Sequence, residues 1–376
     1  MAAISKETVS AMILSRTGFF NIRLMKELYL RAGSFSAVTD HSNDIQAIVP
    51  DCPRQLANAL KNIEAMRSRV DEELEFIEAN GIQMLTLADN AYPQRLKECV
   101  DAPLVLFFKG NANLNAKRVI NIIGTRHATV YADDCIRQFT EQLKTLCPEI
   151  LIVSGLAYGV DIMAHRHSLE NGIPTVGVVA HGLDNLYPPR HRETANRMIE
   201  NGGLLTEYFT HTNADKVNFV RRNRIVAGMS DATVLVESAA RGGGLITCSM
   251  AQSYGRDVFA FPGRVGDATS EGCNNLIRDD GARLITSATD MVRLLGWEDD
   301  ARLATAQRQG IERSLFPELS DEERRTVGTL TEGDLQLNAI AAKASLPISR
   351  IAPVLFGLEM KGVVKTLPGG MYHLIK

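Results

Sequence analysis

The stretch Val119-Ile-Asn-Ile-Ile-Gly-Thr-Arg-His127 opens a series of seven short apolar runs. Between about 118 and 296, these runs alternate with longer helical segments. Val, Ile and Leu runs that are separated by helices are typical of a parallel sheet covered on both faces. The sequence therefore predicts an α/β fold with a doubly wound, mainly parallel sheet, whose strands are expected at 119–123, 151–154, 175–180, 204–206, 233–236, 258–261 and 284–286.

The segments on either side of this region have other patterns. Apolar residues near helical spacing, such as Ile22, Met25 and Leu28, predict a helical module at the N-terminus. Two apolar runs at 84–87 and 104–108 are expected to be edge strands of the sheet.

The C-terminal region predicts a winged helix, with helices at 335–342 and 347–361 and a hairpin around Pro368-Gly-Gly370. It carries seven acidic and seven basic residues from 318 onward, so protein contact is supported there at least as well as DNA contact. The predicted domains are a helical module of SAM or helix-hairpin-helix type at 1–80, the α/β domain at 81–297, a polar linker at 298–317 and a winged-helix domain at 318–376.

Composition limits the function classes. The 41 Lys and Arg residues and 44 Asp and Glu residues give a net charge of −3, which argues against coating nucleic acid by bulk charge. No run of eighteen apolar residues and no signal peptide is found, so we expect a cytoplasmic protein without a membrane partner. The six cysteines lack metal-ligand spacing, which predicts reduced, packed thiols and no metal site.

Glycine turns follow several of the predicted strands. The first strand leads into Gly124-Thr-Arg126, the second into Ser154-Gly-Leu-Ala-Tyr-Gly159, and the fifth precedes Arg241-Gly-Gly-Gly-Leu-Ile-Thr247. Such turns let the backbone approach a ligand, and a turn that opens a helix directs free N–H groups at an anion. Because ligands bind outside the carboxyl ends of parallel strands, the turns predict a phosphate-binding crevice.

Lys216-Val-Asn-Phe-Val-Arg-Arg-Asn-Arg224 places four cations and one aromatic ring within nine residues. Two interpretations are open for such a cluster taken alone. One is a solvated helix start whose arginines pair with carboxylates elsewhere. The other is a strand-binding patch, in which arginines contact phosphates and the ring stacks on a base.

Signals for catalysis and cofactors are weak. Neither GxxxxGK[ST] nor GxGxxG after a strand occurs, so no P-loop hydrolysis and no dinucleotide cofactor is predicted. Asp161 and His165 share a helix face, but such a pair is more typical of a helix N-terminal charge and a satisfied histidine than of catalysis. We therefore predict no catalytic residue and no cofactor.

Together these motifs resemble the DNA-processing DprA/Smf family over almost the whole chain. The motifs that carry the resemblance occur in family order: Ile122-Ile-Gly-Thr-Arg126, Ser154-Gly-Leu-Ala-x-Gly-x-Asp161, Gly182-Leu-Asp, Phe219-x-x-Arg-Asn-Arg-Ile225, Gly244-Leu-Ile-Thr247, Pro262-Gly263 and Gly272-x-Asn-x-Leu-Ile277. The resemblance implies an extended Rossmann-like domain that binds single-stranded DNA, forms homodimers and helps to load the RecA recombinase in natural transformation or recombination.

The resemblance also assigns roles by position. Phe219 is expected to stack on a base, Lys216 to contact the strand beside it, and Arg126 to bind phosphate, while Arg224 points into the crevice with the glycine amides. The full set of expected DNA-binding residues is Gly124, Thr125, Arg126, Ser154, Gly155, Tyr158, Gly159, Lys216, Phe219, Arg221, Arg222, Asn223, Arg224, Gly243, Gly244 and Thr247.

The chain departs from the family pattern at two places. Tyr158 stands where the family often has arginine, and Gly242 and Gly244 stand where it often has serine. Tyr158 either removes one phosphate contact or offers a second stacking surface. The sequence leaves both interpretations open.

Two other functions remain as alternatives. A nucleotide-cleaving phosphoribohydrolase-like enzyme also combines glycine turns, arginines and a glutamate near a strand end, a part for which Glu237 or Glu207 is available. Its usual Pro-Gly-Gly-x-Gly-Thr motif is absent. The third interpretation is an adaptor that acts through its terminal modules and whose crevice is vestigial.

Overall fold

The computed structural model describes residues 5–19, 21–297, 319–331, 333–361, 363–367 and 370–374. The chain divides into two compact units, Met1–Glu298 and Asp299–Lys376. The linker predicted at 298–317 lies outside the described residues. The predicted boundary between a helical module and the α/β domain near residue 80 falls inside the first unit and stays a prediction.

A nine-stranded sheet forms the centre of the first unit, in the order β1-β2-β6-β5-β4-β3-β7-β8-β9. Strands β3 to β9 pair in parallel, whereas β2 is antiparallel to both β1 and β6. The strands are β1 Gln83–Thr86, β2 Val105–Gly110, β3 Arg118–Ile123, β4 Ile150–Ser154, β5 Thr175–Val178, β6 Gly202–Thr206, β7 Ala232–Leu235, β8 Asp257–Ala260 and β9 Arg283–Leu284.

The doubly wound, mainly parallel sheet predicted from the apolar runs is confirmed. Every residue of β3 and β4 is buried, as expected for strands that are covered on both faces. One detail was wrong: β1 is an edge strand, but β2 lies between β1 and β6. The alternation of apolar runs does not reveal this placement, since an antiparallel strand inside a covered sheet has the same apolar character.

The helices of the first unit cover the sheet, and the apolar core of the N-terminal helices is continuous with that under one sheet face. All six cysteines are free thiols and five of them are buried, which confirms the predicted packed thiols. The helices are α1 Lys6–Thr17, α2 Ile22–Ala32, α3 Phe35–Asp40, α4 Arg54–Leu60, α5 Arg67–Ala79, α6 Gln94–Glu98, α7 Val130–Leu146, α8 Val160–Glu170, α9 Arg192–Glu200, α10 Lys216–Gly228, α11 Gly243–Ser253, α12 Glu271–Arg278 and α13 Ala288–Leu294, with 3-10 turns at Ile45–Ala47, Ile63–Met66 and Pro189–His191.

Asn121 is a polar residue in the middle of β3, between apolar neighbours, and it is fully buried. Its side-chain Nδ2 donates to the hydroxyl of Thr233 on β7 at 2.8 Å and to the Val226 carbonyl on α10 at 3.3 Å. A buried amide needs such partners, because an unpaired polar group in the core costs free energy. This amide therefore fixes α10 against the two central strands.

The second unit has the element order of a winged helix. Strand β12 is central in its small sheet, with β10 and β11 on either side. The hairpin and both predicted helices are confirmed, whereas the two-residue β10 was not foreseen. The elements are α14 Asp321–Thr329, β10 Leu335–Gln336, α15 Leu337–Ala344, α16 Ile348–Met360, β11 Val364–Leu367 and β12 Met371–Leu374.

Across the described ranges, no single helix combines the length and apolarity needed to cross a membrane. Helices α15 and α16 meet these criteria when they are taken together, but they are bent by 106° at the break between them.

We predict that Phe139→Ala destabilises the first unit strongly. Phe139 on α7 is 2% exposed and packs edge-to-face on Phe261, so its removal leaves a cavity that costs about 3 to 5 kcal/mol of unfolding free energy. Urea unfolding measures the loss. Val130→Ala on the same helix is the control, because Val130 is 79% exposed and its truncation should change the midpoint little. Equal midpoints for both variants would contradict the packing described.

Candidate functional site

A crevice of about 610 Å³ lies at the carboxyl edge of the sheet, beside the adjacent ends of β3 and β7. The chain reverses its direction of winding here, because β4, β5 and β6 extend to one side of β3 and β7 to β9 to the other. The lining residues come from the end of β3 and the turn after it, the start of α8 and the loop before it, helix α10, the loop after β7 and the start of α11: Ile123, Gly124, Thr125, Arg126, His127, Ala157, Asp161, Lys216, Phe219, Val220, Arg222, Asn223, Ala239, Gly242, Gly243, Gly244, Ile246 and Thr247.

The turn after β3 is held by backbone hydrogen bonds on both sides. The Thr125 amide donates to the Glu237 carbonyl at 2.8 Å, and the Val160 amide donates to the Thr125 carbonyl at 3.1 Å. A Cβ on Gly124 would lie 2.6 Å from Val160 Cγ2, so no larger residue fits there. This tight packing leaves Arg126 exposed at the mouth of the crevice.

The glycine turn before α11 contributes backbone amide groups to the crevice. Gly242 is the N-cap and has no side chain to cap the helix, so no capping bond satisfies the Gly243 and Gly244 amides, whereas the Leu245 amide donates to the Gly242 carbonyl at 3.2 Å. A Cβ on Gly244 would lie 2.8 Å from Leu235 Cδ1, whereas a Cβ on Gly243 would meet nothing within 4 Å. Close packing therefore explains why position 244 is a glycine. Position 243 is not packed in this way, and it leaves open space next to the amides at the start of α11, which attract anions.

Helix α10 supplies an aromatic ring and cations. Its N-cap Asp215 accepts from the Asn218 amide at 2.7 Å, which starts the helix at Lys216. The Phe219 ring is half-buried, and the Arg126 guanidinium lies 4.9 Å from its centroid. The Tyr187 ring lies 5.7 Å from Phe219 at an angle of 58°. Lys216 is exposed one turn earlier, and the side chains of Lys216, Phe219 and Arg126 all line the same crevice.

Arg222 is a buried support of this wall. The residue is 4% exposed, and its guanidinium donates to the carbonyl groups of Gly155 and Val178. A Cβ on Gly155 would lie 2.5 Å from Arg222 Nη2, which explains that glycine. Asp161 accepts from the Gly155 amide at 3.1 Å; burial raises the pKa of this carboxyl, and the charge of Arg222 opposes the rise.

Arg224 does not point into the crevice, and that expectation is wrong. It forms a buried ion pair with Glu207 on the other side of α10, where burial raises the pKa of Glu207 and the charge of Arg224 opposes the rise. Arg221 lies on the same side, with its guanidinium 4.8 Å from the Phe19 ring. Helical spacing explains the division, since positions 216, 219 and 223 share one face and positions 221 and 224 another.

Ser154, Gly155, Tyr158 and Gly159 are also outside the crevice lining. The Ser154 hydroxyl is buried and donates to the Ile122 carbonyl at 2.6 Å. Gly159 has a φ of 74° and abuts the turn after β3. Tyr158 is 40% exposed, and its ring lies 5.0 Å from that of His191 in an edge contact. These residues shape or flank the crevice, so a strand-contacting role for them stays a prediction.

The structure brings the other expected residues together, and it adds some that the sequence reasoning missed. The expected residues that line the crevice are Gly124, Thr125, Arg126, Lys216, Phe219, Arg222, Asn223, Gly243, Gly244 and Thr247. Val220 and Ile246 line it unexpectedly, and both are exposed apolar side chains. Ile246 lies one helical turn after Gly243, so helical spacing from the glycine turn could have predicted that Ile246 lines the crevice.

The ionisable side chains considered for catalysis have structural partners. Both Glu237 oxygens accept from Thr129, one from its amide and one from its hydroxyl, each at 2.9 Å. Glu207 is paired with Arg224. His165 bonds to the Thr175 hydroxyl at 2.7 Å, and burial lowers its pKa to about 3. Among the described residues, no group of three or more His, Cys, Asp or Glu is placed to hold a metal ion.

A doubly wound sheet with a crevice at its switch point, lined by glycine turns, cations and a ring, defines a Rossmann-like fold, in which ligands bind at that point. The family model for DNA recombination-mediator protein A matches residues 83–296, and the DprA winged helix domain model matches residues 313–370. The chain belongs to the DNA recombination-mediator protein A family, as its resemblance to DprA/Smf proteins predicted.

Individual relatives support the same family assignment. The chain is 37% identical over 207 residues to DNA processing protein DprA of Streptococcus pneumoniae, a match that spans 55% of this chain and 72% of that protein. It is 30% identical over 328 residues to protein Smf of Escherichia coli, spanning 85% of this chain and 84% of that protein.

Solved structures are also similar. The X-ray structure of the Streptococcus pneumoniae DprA has a TM-score of 0.64 at 30% identity and covers 75% of this chain and 95% of that one. DNA processing protein A of Helicobacter pylori, described for its single-stranded DNA binding mode, has a TM-score of 0.51 at 27% identity and covers 57% of this chain and 95% of that one.

We predict opposite outcomes for alanine at two glycines of the site. A Cβ on Gly159 would overlap the Thr125 carbonyl and lie 2.6 Å from the Arg126 carbonyl carbon. Together with the positive φ, this overlap should lower the unfolding free energy by about 2 to 4 kcal/mol. Gly243→Ala is the control: the space there is open, so stability should stay the same or rise by up to about 1 kcal/mol. Chemical denaturation compares them, and a harmless Gly159→Ala would refute the tight turn.

Proposed function

We propose that the crevice binds single-stranded DNA with little sequence preference. The observation that carries the proposal is the half-buried Phe219 ring, which has Arg126 beside it and Lys216 one turn away in the same cavity. Rings that stack on bases and cations that follow the backbone are the two parts of a sequence-tolerant strand site. The uncapped start of α11 adds amides for a further phosphate.

Arg126 has a double role in this proposal. Its guanidinium lies 4.9 Å from the centroid of the Phe219 ring, an arrangement favoured by the cation–π attraction. Because Arg126 is exposed on a turn, its side chain is able to move to a phosphate while a base takes its place at the ring. The base then takes over the contact with the Phe219 ring, and the Arg126 guanidinium pairs with a phosphate instead.

The crevice acts by binding rather than by catalysis in our proposal. Glu237 and Glu207, the carboxylates available to a phosphoribohydrolase-like enzyme, are engaged with Thr129 and Arg224. A carboxylate that acts as a general base must lie within reach of the substrate, and neither of these two residues lines the crevice. Asp161 does line it, but this carboxylate is buried, accepts from the Gly155 amide and lies near the charge of Arg222. The hydrolase alternative is therefore not supported by the carboxylates that it would use.

We infer the wider role from family membership. The protein mediates recombination or transformation by covering single strands in the cytoplasm as a homodimer and by helping to load the RecA recombinase. Light scattering measures the dimer, and the rate of RecA filament growth on protein-covered oligothymidine measures the loading. A monomer, or filament growth that the protein does not accelerate, would contradict this role.

We predict that Phe219→Leu weakens oligothymidine binding while the fold is kept. Leucine fills much of the same space but cannot stack, and base–aromatic stacking contributes about 1 to 3 kcal/mol per base. Fluorescence polarisation should therefore show a loss of about 5- to 150-fold. Arg137→Ala is the control, because Arg137 lies on α7 in an exposed pair with Asp134. Unchanged affinity in Phe219→Leu would show that the Phe219 ring does not contribute to strand binding.

We predict that Arg126→Ala changes the salt dependence of strand binding. Loss of one phosphate contact to a single strand lowers the slope of log K against log salt by about 0.7. Titrations at several salt concentrations measure the slope, with Arg137→Ala again as the control. A loss of affinity without any change of slope would mean that Arg126 acts through the ring and not through a phosphate.

A further inference from the structure

A second exposed ring lies next to Phe219, and it is not one of the residues that line the crevice. The Tyr187 ring is 41% exposed, and its centroid lies 5.7 Å from that of Phe219. Tyr187 belongs to the loop between β5 and α9, whereas Phe219 belongs to α10. The two ring planes are inclined by 58°, so the rings do not stack on each other. None of the roles assigned to the crevice uses the Tyr187 ring.

The loop that carries Tyr187 is fixed by a buried histidine. His181 is 1% exposed, and its Nε2 accepts from the Tyr187 amide at 3.1 Å. Its other ring nitrogen, Nδ1, donates to the Gly182 carbonyl at 2.8 Å. An exposed ring on a fixed backbone loses little conformational freedom when it binds, so Tyr187 is preorganised for a contact.

Two exposed arginines follow this ring within five residues. Arg190 lies in the 3-10 turn Pro189–His191, and Arg192 is the first residue of α9. Both side chains are exposed, and among the described residues neither takes part in an ion pair. The start of a helix is the positive end of its dipole, where cations are disfavoured. The stability of α9 therefore does not account for these arginines.

A third arginine adds to the positive charge of this segment. Arg166 on α8 is exposed, and its Nε donates to the hydroxyl of Thr194 on α9 at 3.4 Å. The first turn of α9 has one acidic residue, Glu193, against the three arginines. The segment thus carries the excess of positive charge that contact with phosphates requires.

This segment is joined to the crevice through the loop before α8. His191, which lies between the two arginines, is buried, and its Nδ1 donates to the Leu156 carbonyl at 2.9 Å. The next residue, Ala157, lines the crevice, and the ring of Tyr158 lies 5.0 Å from that of His191. A strand that leaves the crevice on this side therefore reaches the arginines directly.

We propose that Tyr187, Arg190 and Arg192 form an extension of the strand site, which holds the part of a single strand that leaves the crevice past Phe219. This extension rests on the strand binding proposed above. A ring for a base and cations for the adjoining phosphates are the parts of a sequence-tolerant site, and the extension repeats the composition of the crevice. Because the two rings are adjacent, neighbouring nucleotides of one strand are able to contact both.

Fluorescence polarisation with oligothymidines of about 4 and about 12 nucleotides tests the extension, since strand sites of this kind cover about 4 to 16 nucleotides. Arg190→Ala together with Arg192→Ala in the full chain should lower the slope of log K against log salt by about 1.4 for the longer strand, because each phosphate contact contributes about 0.7. The shorter strand, which the crevice alone accommodates, should keep its slope.

The matched control is Arg137→Ala together with Arg293→Ala. This pair removes the same two charges from exposed positions on α7 and α13, so both slopes should stay unchanged.

Tyr187 is tested separately with the longer strand. Tyr187→Leu should weaken binding by about fivefold or more, because the stacking surface is lost. Tyr187→Phe keeps the ring and should bind as tightly as the unchanged chain. Both substitutions lie at an exposed position, and equal unfolding midpoints check that the fold is kept.

Equal slopes for the arginine pair and its control, or equal affinities for Tyr187→Leu and Tyr187→Phe, would overturn the extension. An equal loss for both strand lengths would also overturn it, because the arginines would then act at the crevice itself. Failure of the crevice is recognised differently: the shorter strand would not bind the unchanged chain, or Phe219→Leu would leave its affinity unaltered, and both proposals would then fall together.

Discussion

The hydrogen bonds from the buried Arg222 guanidinium to the carbonyl groups of Gly155 and Val178 are the constraint on which the site depends. They tie α10 to the ends of β4 and β5. A buried charge is tolerated only where hydrogen bonds and an opposite charge compensate for its lost hydration, and Asp161 supplies that charge nearby. The arrangement in turn requires glycine at 155, since a Cβ there would displace the guanidinium.

Fixing α10 in this way gives its two faces separate environments. Lys216 and Phe219 line the crevice with the glycine turns, whereas Arg224 pairs with Glu207 and Arg221 lies beside the Phe19 ring on another face. The Asn121 amide adds a second anchor, because it joins α10 to the two central strands through Val226 and Thr233. A single helix therefore carries the ring and lysine of the crevice on one face and a buried ion pair on another.

Much of the fold followed from local pattern. Mainly apolar runs such as 119–123 and 151–153 are typical of a sheet covered on both faces, so the doubly wound class and most of its strands were predictable. The C-terminal hairpin followed from its turn residues in the same way. The position of β2 inside the sheet was not, because strand order depends on pairing between distant segments. Arg224 was wrongly predicted to point into the crevice, because its charge was interpreted without the helical spacing that divides the cluster.

The sequence by itself determined the residue types of the site: glycines in turns after strands, one ring among cations, and no nucleotide-hydrolysis motif. These are local features, and they follow from backbone geometry and side-chain chemistry. Only the tertiary structure decided which glycines serve packing, as Gly124 and Gly159 do, and which leave space for a ligand, as Gly243 does. It also decided that Arg222 supports the wall while Arg126 stays exposed. The physical reason is that burial and hydrogen-bond partners come from segments far apart in the chain, and a charge becomes a support or a binding group according to them.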